Sequence, residues 1–276
     1  MKGAVGMESS RLKNIIILIL VLTDLFLLGS LTSRRTAELS SRRRGEEQLV
    51  ELFAADQITL DPDLIPYQTP PASRTLVRDL DQERAIATAL LGKNLCQNNS
   101  GDVVYGFDSD AGAALFRSNG GFDVAGTLSS GSAEEVCREF CKSFGYRDLT
   151  FSLENGSGTA TATRYYDDYP VVGCTVEFSI DNGVLRTVTG TYLPDTYTET
   201  AGETEPLSAT AALTAFLSAR RASGGVGSAV TDIYLCYELQ STTAAPMSLV
   251  PAWCIVTDLP SSVYYVNCIT GAVTYD

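Results

Sequence analysis

The chemistry open to this 276-residue chain is limited first by an omission: it contains no histidine. That removes imidazole acid–base catalysis, Ser-His-Asp triads and histidine-ligated metals. No G-x-S-x-G elbow, phosphate-binding P-loop or dinucleotide-binding glycine pattern occurs. Carboxylates, thiols and phenols remain. The densest polar group is Asp167-Asp168, flanked by Tyr165, Tyr166 and Tyr169. A carboxylate pair can attract a cation, but a calcium site needs a spaced set of six to eight oxygen ligands. None is visible, so the pair reads as a solvated turn. Cys137-x-x-x-Cys141 places two thiols on one helix face, where a zinc site wants about four ligands; burial as small apolar side chains is the reading. Trp253, in a strand setting, reads as a core anchor. No catalytic, cofactor-binding or metal-binding residue is assigned. The residues alone leave open an enzyme with a mechanism that does without histidine.

The strongest single signal lies at the amino terminus, in Asn14-Ile-Ile-Ile-Leu-Ile-Leu-Val-Leu-Thr-Asp-Leu-Phe-Leu-Leu-Gly-Ser-Leu31. Basic residues flank it, Arg11 and Lys13 before and Arg34 and Arg35 after. About 20 residues of helix rise roughly 30 Å, enough to cross a bilayer core. A secretory signal is the nearest alternative, but the run exceeds the usual apolar core of about 7–15 residues and no A-x-A site follows it. Ser30-Leu-Thr32 is a weak match, and the first cysteine, Cys96, is too distant for a lipoprotein signal. A buried soluble helix would be unusually apolar on all sides. The expectation is a transmembrane helix over 12–32. Asp24 is its exceptional residue. A carboxylate at mid-membrane costs about 2.5–3.5 kcal/mol, so either it is protonated and tolerated or it meets a polar group on a neighbouring helix, where a hydrogen bond is worth roughly 0.6–2 kcal/mol. The second reading makes Asp24, with Leu20, Phe26 and Leu27, the expected partner-binding face.

Charge is uneven. Residues 1–44 hold eight Lys/Arg against three Asp/Glu, a net of +5, and the rest holds twelve against thirty, a net of −18. An acidic folded region argues against nucleic acid or anionic lipid as its ligand and points to solubility or a basic partner. The flank formed by Arg34, Arg35, Arg42, Arg43 and Arg44 outweighs Lys2, Arg11 and Lys13, which taken alone puts the folded region in the cytoplasm; a long following domain can override that bias, so charge leaves the orientation open. Seven cysteines, an odd number set mostly within strand-like or helix-like runs (Cys174, Cys236, Cys254 and Cys268 on strands), give no disulfide framework.

The chain after the anchor alternates helices with short strands. Residues 36–55 carry a helical pattern through Leu39, Leu49, Leu52 and Phe53, interrupted by Gly45, and residues 56–73 read as a proline-rich loop. A helix is expected at 80–91, ended by Gly92, then strands at 102–107, 113–117 and 121–128. Ser132-Ala-Glu-Glu135 is a capping box opening a helix to about 144. Strands follow at 149–154, 159–166, 171–180 and 184–193, the last two joined by the hairpin signal Asp181-Asn182-Gly183. Val176, Phe178 and Ile180 alternate with Thr175, Glu177 and Ser179, the mark of a half-buried antiparallel strand. After a polar linker at 194–205 come a helix at 207–221 and strands at 230–239, 250–257, 263–268 and 272–275. Ser132-Ala133 with Phe140 matches Ser208-Ala209 with Phe216, and each helix precedes a strand run containing a proline-led strand, at Pro170 and Pro251, and closing on a glycine turn, at Gly183 and Gly271. The expected fold is α+β: an N-terminal transmembrane helix, then tandem antiparallel sheet modules with helices on one face of each. The boundaries are 1–11 tail, 12–32 transmembrane helix, 33–73 stalk and linker, 74–195 first module and 196–276 second module.

Three groups of segments resemble the YycI/YycH family of two-component-system regulatory proteins. One is Ser10-Arg-Leu-Lys-Asn14 with Leu22-Thr-Asp-Leu-Phe-Leu-Leu28. Another is Tyr169-Pro-Val-Val172, Val176-Glu-Phe-Ser-Ile180, Gly190-Thr-Tyr-Leu193 and Leu207-Ser-Ala209. The third is Val250-Pro-Ala-Trp253, Tyr264-Tyr-Val-Asn267 and Thr270-Gly271. The match is loose over 72–130. The resemblance implies a non-enzymatic protein with a single membrane helix, tail inside, and an extracytoplasmic region of PepSY-like modules. It implies as partners a WalK-like sensor histidine kinase, a YycH-like sister protein and the membrane, in a WalR–WalK-type system controlling cell-wall metabolism. It implies no cofactor. A tethered PepSY-like module that binds an envelope ligand or a protease is the alternative.

Overall fold

The alternation at 175–180 sets the architecture: Val176, Phe178 and Ile180 are buried on one face of a strand, and Thr175 and Glu177 are exposed on the other. The computed structural model describes Leu20, Thr23 and residues 43–100, 104–128, 131–199, 205–224, 227–242, 245–259 and 263–275. The chain divides into two compact units, Met1–Pro62 and Asp63–Asp276.

In the first unit, helix α1 is described over 43–55. It runs through Gly45, where an interruption was expected. Glu46, Leu49 and Phe53 are its buried residues, spaced three and four apart as one helical face demands. The predicted span at 12–32 lies outside the described residues except for Leu20 and Thr23, both helical. Among the described residues no helix is long and apolar enough to cross a membrane. Asp24, Phe26 and Leu27 lie outside the described residues, and Leu20 is 58% exposed.

The second unit is mixed α+β around a large, mainly antiparallel sheet. Its strands are β1 (Arg74–Leu76), β2 (Cys96–Ser100), β3 (Val104–Ser109), β4 (Gly112–Arg117), β5 (Gly121–Gly126), β6 (Tyr146–Glu154), β7 (Ser157–Tyr166), β8 (Tyr169–Asp181), β9 (Val184–Thr191), β10 (Tyr197–Glu199), β11 (Val230–Thr242), β12 (Ala245–Thr257), β13 (Val263–Asn267) and β14 (Val273–Tyr275). Its helices are α2 (Leu80–Leu91), α3 (Ala133–Ser143) and α4 (Ala209–Ser223). One antiparallel section runs β2-β3-β4-β5-β9-β8-β7-β6. Buried residues of α2 (Ile86, Leu90) and α3 (Cys137, Phe140, Cys141) share a core with Phe116, Phe122, Phe178 and Val188 of this section, so both helices cover the same face. The other section, β10-β1-β12-β11 with β13 and β14 beyond β12, carries α4, whose Phe216 meets Tyr264 edge to face at 4.8 Å.

The two sections meet at β8. Its later residues pair with β7 and β9, and its early residues also pair in parallel with β11, Val171 opposite Tyr237 and Val172 opposite Glu238. Between those pairings the register with β7 shifts across residues 171–174, where Gly173 has a φ of 72°, a left-handed value that glycine adopts without a Cβ penalty.

Local signals decide the helix ends. Asp79 caps α2, its side chain accepting from the backbone N–H groups of Asp81 and Gln82, and Ser208 caps α4 by accepting from Ala211. Ser132 occupies the N-cap of α3 but makes no side-chain capping bond, so the expected capping box does not close. Three short strands escape the sequence pattern: β1, β2 and β10, the last lying within the stretch read as a polar linker. β11 and β12 are each 13 residues, longer than expected, which places Pro251 in mid-strand opposite Tyr237. Cys268 lies just past the end of β13 rather than on it.

Candidate functional site

The hairpin joining β7 to β8 turns through Asp167 and Asp168, both at positive φ (46° and 69°). Two-residue hairpin turns of this hand need positive φ at both positions. The neighbouring hairpins supply Asn155-Gly156 and Asn182-Gly183. Here two aspartates fill the turn, since a short polar side chain tolerates the left-handed region. A register shift between Arg147 and Thr150 in β6 leaves a third aspartate, Asp148, at φ 58° beside the same hairpin.

These carboxylates have defined partners. Tyr165 donates its hydroxyl to Asp148 Oδ2 at 2.7 Å. Arg147 pairs with Asp168 at 2.6 Å and lays its guanidinium 4.9 Å from the Tyr165 ring centroid. Asp167 pairs with Arg74 of β1. Arg74 is buried, 5.3 Å from the Tyr166 ring and 4.1 Å from the Tyr197 ring, with Glu199 at 3.9 Å and its own Nε without a hydrogen-bond partner. Arg74 thus ties β1 to the hairpin turn. Beneath it, Leu76, Tyr166, Val171, Cys174, Leu193 and Tyr237 form the small core of the junction.

A cleft of about 700 Å³ opens on the other side of this turn. Asp148, Asp167 and Asp168 line it with the rings of Tyr165, Tyr169 and Tyr234, and Gln68, Thr163, Pro170 and Leu235 complete the wall. A smaller extension of about 200 Å³ shares Thr163, Pro170 and Tyr234 and continues over Val172, Thr175, Cys236 and Tyr265. Burial pushes the Tyr166 and Tyr237 hydroxyls up to about 12. The bond to Asp148, then burial, raises Tyr165; burial first, then a bond to Cys254, raises Tyr234. These phenols are neutral at physiological pH and act as hydrogen-bond donors and flat contact surfaces. The arrangement is suited to holding a ligand by ring faces and carboxylates.

The structure therefore separates the predicted polar cluster. Asp168, Tyr165 and Tyr169 face the cleft, Tyr166 turns into the junction core, and Asp167 both borders the cleft and holds Arg74. Asp167 is not simply solvated, as a free turn would be. Sequence reasoning missed Arg74, Arg147, Asp148 and Tyr234. Arg74 sits on a three-residue strand and Asp148 on a bulge, features that leave no periodic signal. Tyr234 could have been found from the β11 alternation, since it is 39% exposed between strand neighbours on the buried face.

The paired thiols of α3 are elsewhere and structural. Cys137 and Cys141 are buried, and burial pushes both up to about 12. Trp253 is fully buried and donates Nε1–H to the Leu207 carbonyl at 2.8 Å. Among the described residues, no group of three carboxylates or thiols is placed to hold a metal ion.

No family model matches the chain. No curated protein matches it either. Among solved structures it is similar to an uncharacterized protein from Eubacterium rectale, at 11% identity over 75% of this chain and 80% of that one, with a TM-score of 0.44. It is also similar to the C-terminal domain of Bacillus megaterium YpeB, at 10% identity over 73% of this chain and 98% of that one, with a TM-score of 0.35.

Proposed function

We propose that this chain is a membrane-anchored, non-enzymatic regulator of a WalK-like sensor histidine kinase. In this reading residues 12–32 span the membrane and tandem PepSY-like modules stand outside it, with a YycH-like sister protein as second partner. One spatial observation carries the reading. Tyr169-Pro-Val-Val172 and Val250-Pro-Ala-Trp253, from the second and third groups of segments that resemble the YycI/YycH family, lie on β8 and β12 on either side of β11. Both meet Tyr237, which faces Val171 on one flank and Pro251 on the other. Separate stretches that resemble one family in sequence and converge on one residue in space support a shared architecture.

The anchor packs against kinase membrane helices through Asp24, Leu20, Phe26 and Leu27. The outer region biases the kinase between two signalling states, which requires different affinity for the two rather than contact alone. Pull-down of the intact chain from solubilised membranes recovers the kinase, and Asp24→Leu weakens that recovery. Unchanged recovery with Asp24→Leu removes the polar contact from the mechanism. Full kinase modulation by a chain lacking residues 1–35 overturns the role of the anchor. The tyrosine-lined cleft favours a second reading, a tethered module for an envelope ligand or protease; crosslinking in native membranes that captures such a partner and no kinase selects it.

A further inference from the structure

The cleft beside the β7–β8 turn combines two surfaces that the kinase reading does not use. At one end the rings of Tyr165, Tyr169 and Tyr234 stand among the carboxylates of Asp148, Asp167 and Asp168. Arg147 and Arg74 answer Asp168 and Asp167, so three carboxylates face two guanidinium groups and one negative charge is left over. At the other end, past Thr163, Pro170 and Tyr234, the extension runs over Val172, Thr175, Cys236 and Tyr265; it carries no carboxylate or amide side chain, only hydroxyls and a thiol among apolar groups. The whole is anionic and aromatic at one end and mixed at the other, where apolar side chains alternate with hydroxyls.

Beside the cleft, outside its lining, the protein shows what such groups hold well. Arg147 lies over the Tyr165 ring with Asp168 at its edge, and Arg74 lies between the Tyr166 and Tyr197 rings with Asp167 at its edge. A planar cation on a phenol face with a carboxylate alongside is the geometry in which arginine outperforms lysine. The Arg147–Asp168 pair is solvent-exposed, its side chains 53% and 84% accessible, and exposed pairs exchange partners at little cost. Residues 63–276 hold twelve Lys/Arg against twenty-five Asp/Glu, a net of −13, which draws cations toward this unit.

From these features we infer that the cleft and its extension receive an extended segment of a partner polypeptide bearing an arginine followed within a few residues by an apolar side chain. The arginine occupies the end formed by Tyr234, Asp148 and Asp168, and the apolar side chain the end formed by Val172, Cys236 and Pro170. The rings, carboxylates and net negative charge of the first half favour a cationic side chain there, and a glycan is the competing occupant that the test separates. The inference stands whether or not the partner is a kinase.

The test is an NMR-detected titration of the full chain in detergent micelles. The probe is the peptide acetyl-Gly-Arg-Gly-Leu-Val-Gly-amide. The comparison ligands are its citrulline analogue, which keeps the shape and loses the charge, and chitotetraose. The arginine peptide binds, and the citrulline analogue binds roughly fivefold more weakly, as loss of a cation–π contact and an ion pair requires. Asp148→Asn/Asp168→Asn weakens the arginine peptide to a similar degree, and Tyr234→Leu weakens it roughly two- to fivefold. Asparagine tolerates positive φ, so the double variant keeps its thermal midpoint. The distant pair Asp110→Asn/Glu135→Gln leaves binding unchanged. The proposal is overturned by equal binding of the two peptides, or by indifference to the cleft variants. A response to the distant pair as large as to the cleft pair, chitotetraose binding in place of the peptide, or no peptide binding at millimolar concentration also overturns it.

Discussion

Glu83 has no solvent-exposed surface, yet it is a carboxylate. Arg78 donates to both its oxygens, Nε at 2.7 Å and a terminal nitrogen at 3.2 Å, and the buried Tyr192 hydroxyl donates to the first. Removing one member of such a group strands the others, so Glu83→Ala costs about 3–5 kcal/mol, measured by urea denaturation. A loss under 1 kcal/mol would mean that water reaches Arg78 and Tyr192 once the carboxylate is gone. The buried thiols give a pH prediction. Cys137, Cys141, Cys174 and Cys268 are raised by burial from an ordinary value of 9.0 to about 12. The folded state therefore holds protons that the unfolded chain gives up, so the stability they contribute is full below pH 9.0 and lost as pH rises toward about 12. Denaturation midpoints recorded across that range fall with pH, and Cys137→Ala/Cys141→Ala shallows the slope. At this scale the sequence was informative about burial. Trp253 and the Cys137–Cys141 pair are buried as their settings implied. It was silent on Glu83, because nothing in Leu-Asp-Gln-Glu-Arg84 marks the one acid that points inward.

Elements with strong periodicity were legible: the three helices of the second unit and the long strands around 176–180 and 184–191 stand close to where alternation and turn residues put them. The three-residue strands β1 and β10 were not, because they hold their place through Arg74 and through pairing with each other and, for β1, with β12, all contacts distant in sequence. The Asp167-Asp168 turn was legible as a turn but not as a wall of a cleft, since the bulge that brings Asp148 beside it is a property of the paired strands. The register shift in β8 contains one left-handed residue. A Cβ added at Gly173 meets nothing within 4 Å, so Gly173→Ala pays only the conformational penalty of a left-handed residue, about 1–2 kcal/mol. Urea denaturation of that variant reads it directly, and a neutral effect would mean that this residue relaxes to an extended course without loss of either pairing.

For the molecule as a whole, charge and hydropathy divide the chain into a basic, apolar start and an acidic body. Deleting residues 1–35 moves the protein from the membrane pellet to the soluble fraction with its far-ultraviolet circular dichroism per residue essentially retained. Persistence in the pellet without aggregation places the membrane attachment elsewhere. The mixed α+β class could be read from the order of patterns. The joining of two sheet sections through one strand could not, because a parallel pair of two residues, Val171–Tyr237 and Val172–Glu238, has no signature along the chain.

That joint bears on heredity. A recombination event whose breakpoint fell near codon 196 would deliver a β11 selected beside one neighbour into a gene encoding another, and β12 would meet an unfamiliar β1 as well. Descendants that trade the back half of this gene should be rarer than those that trade the whole of it.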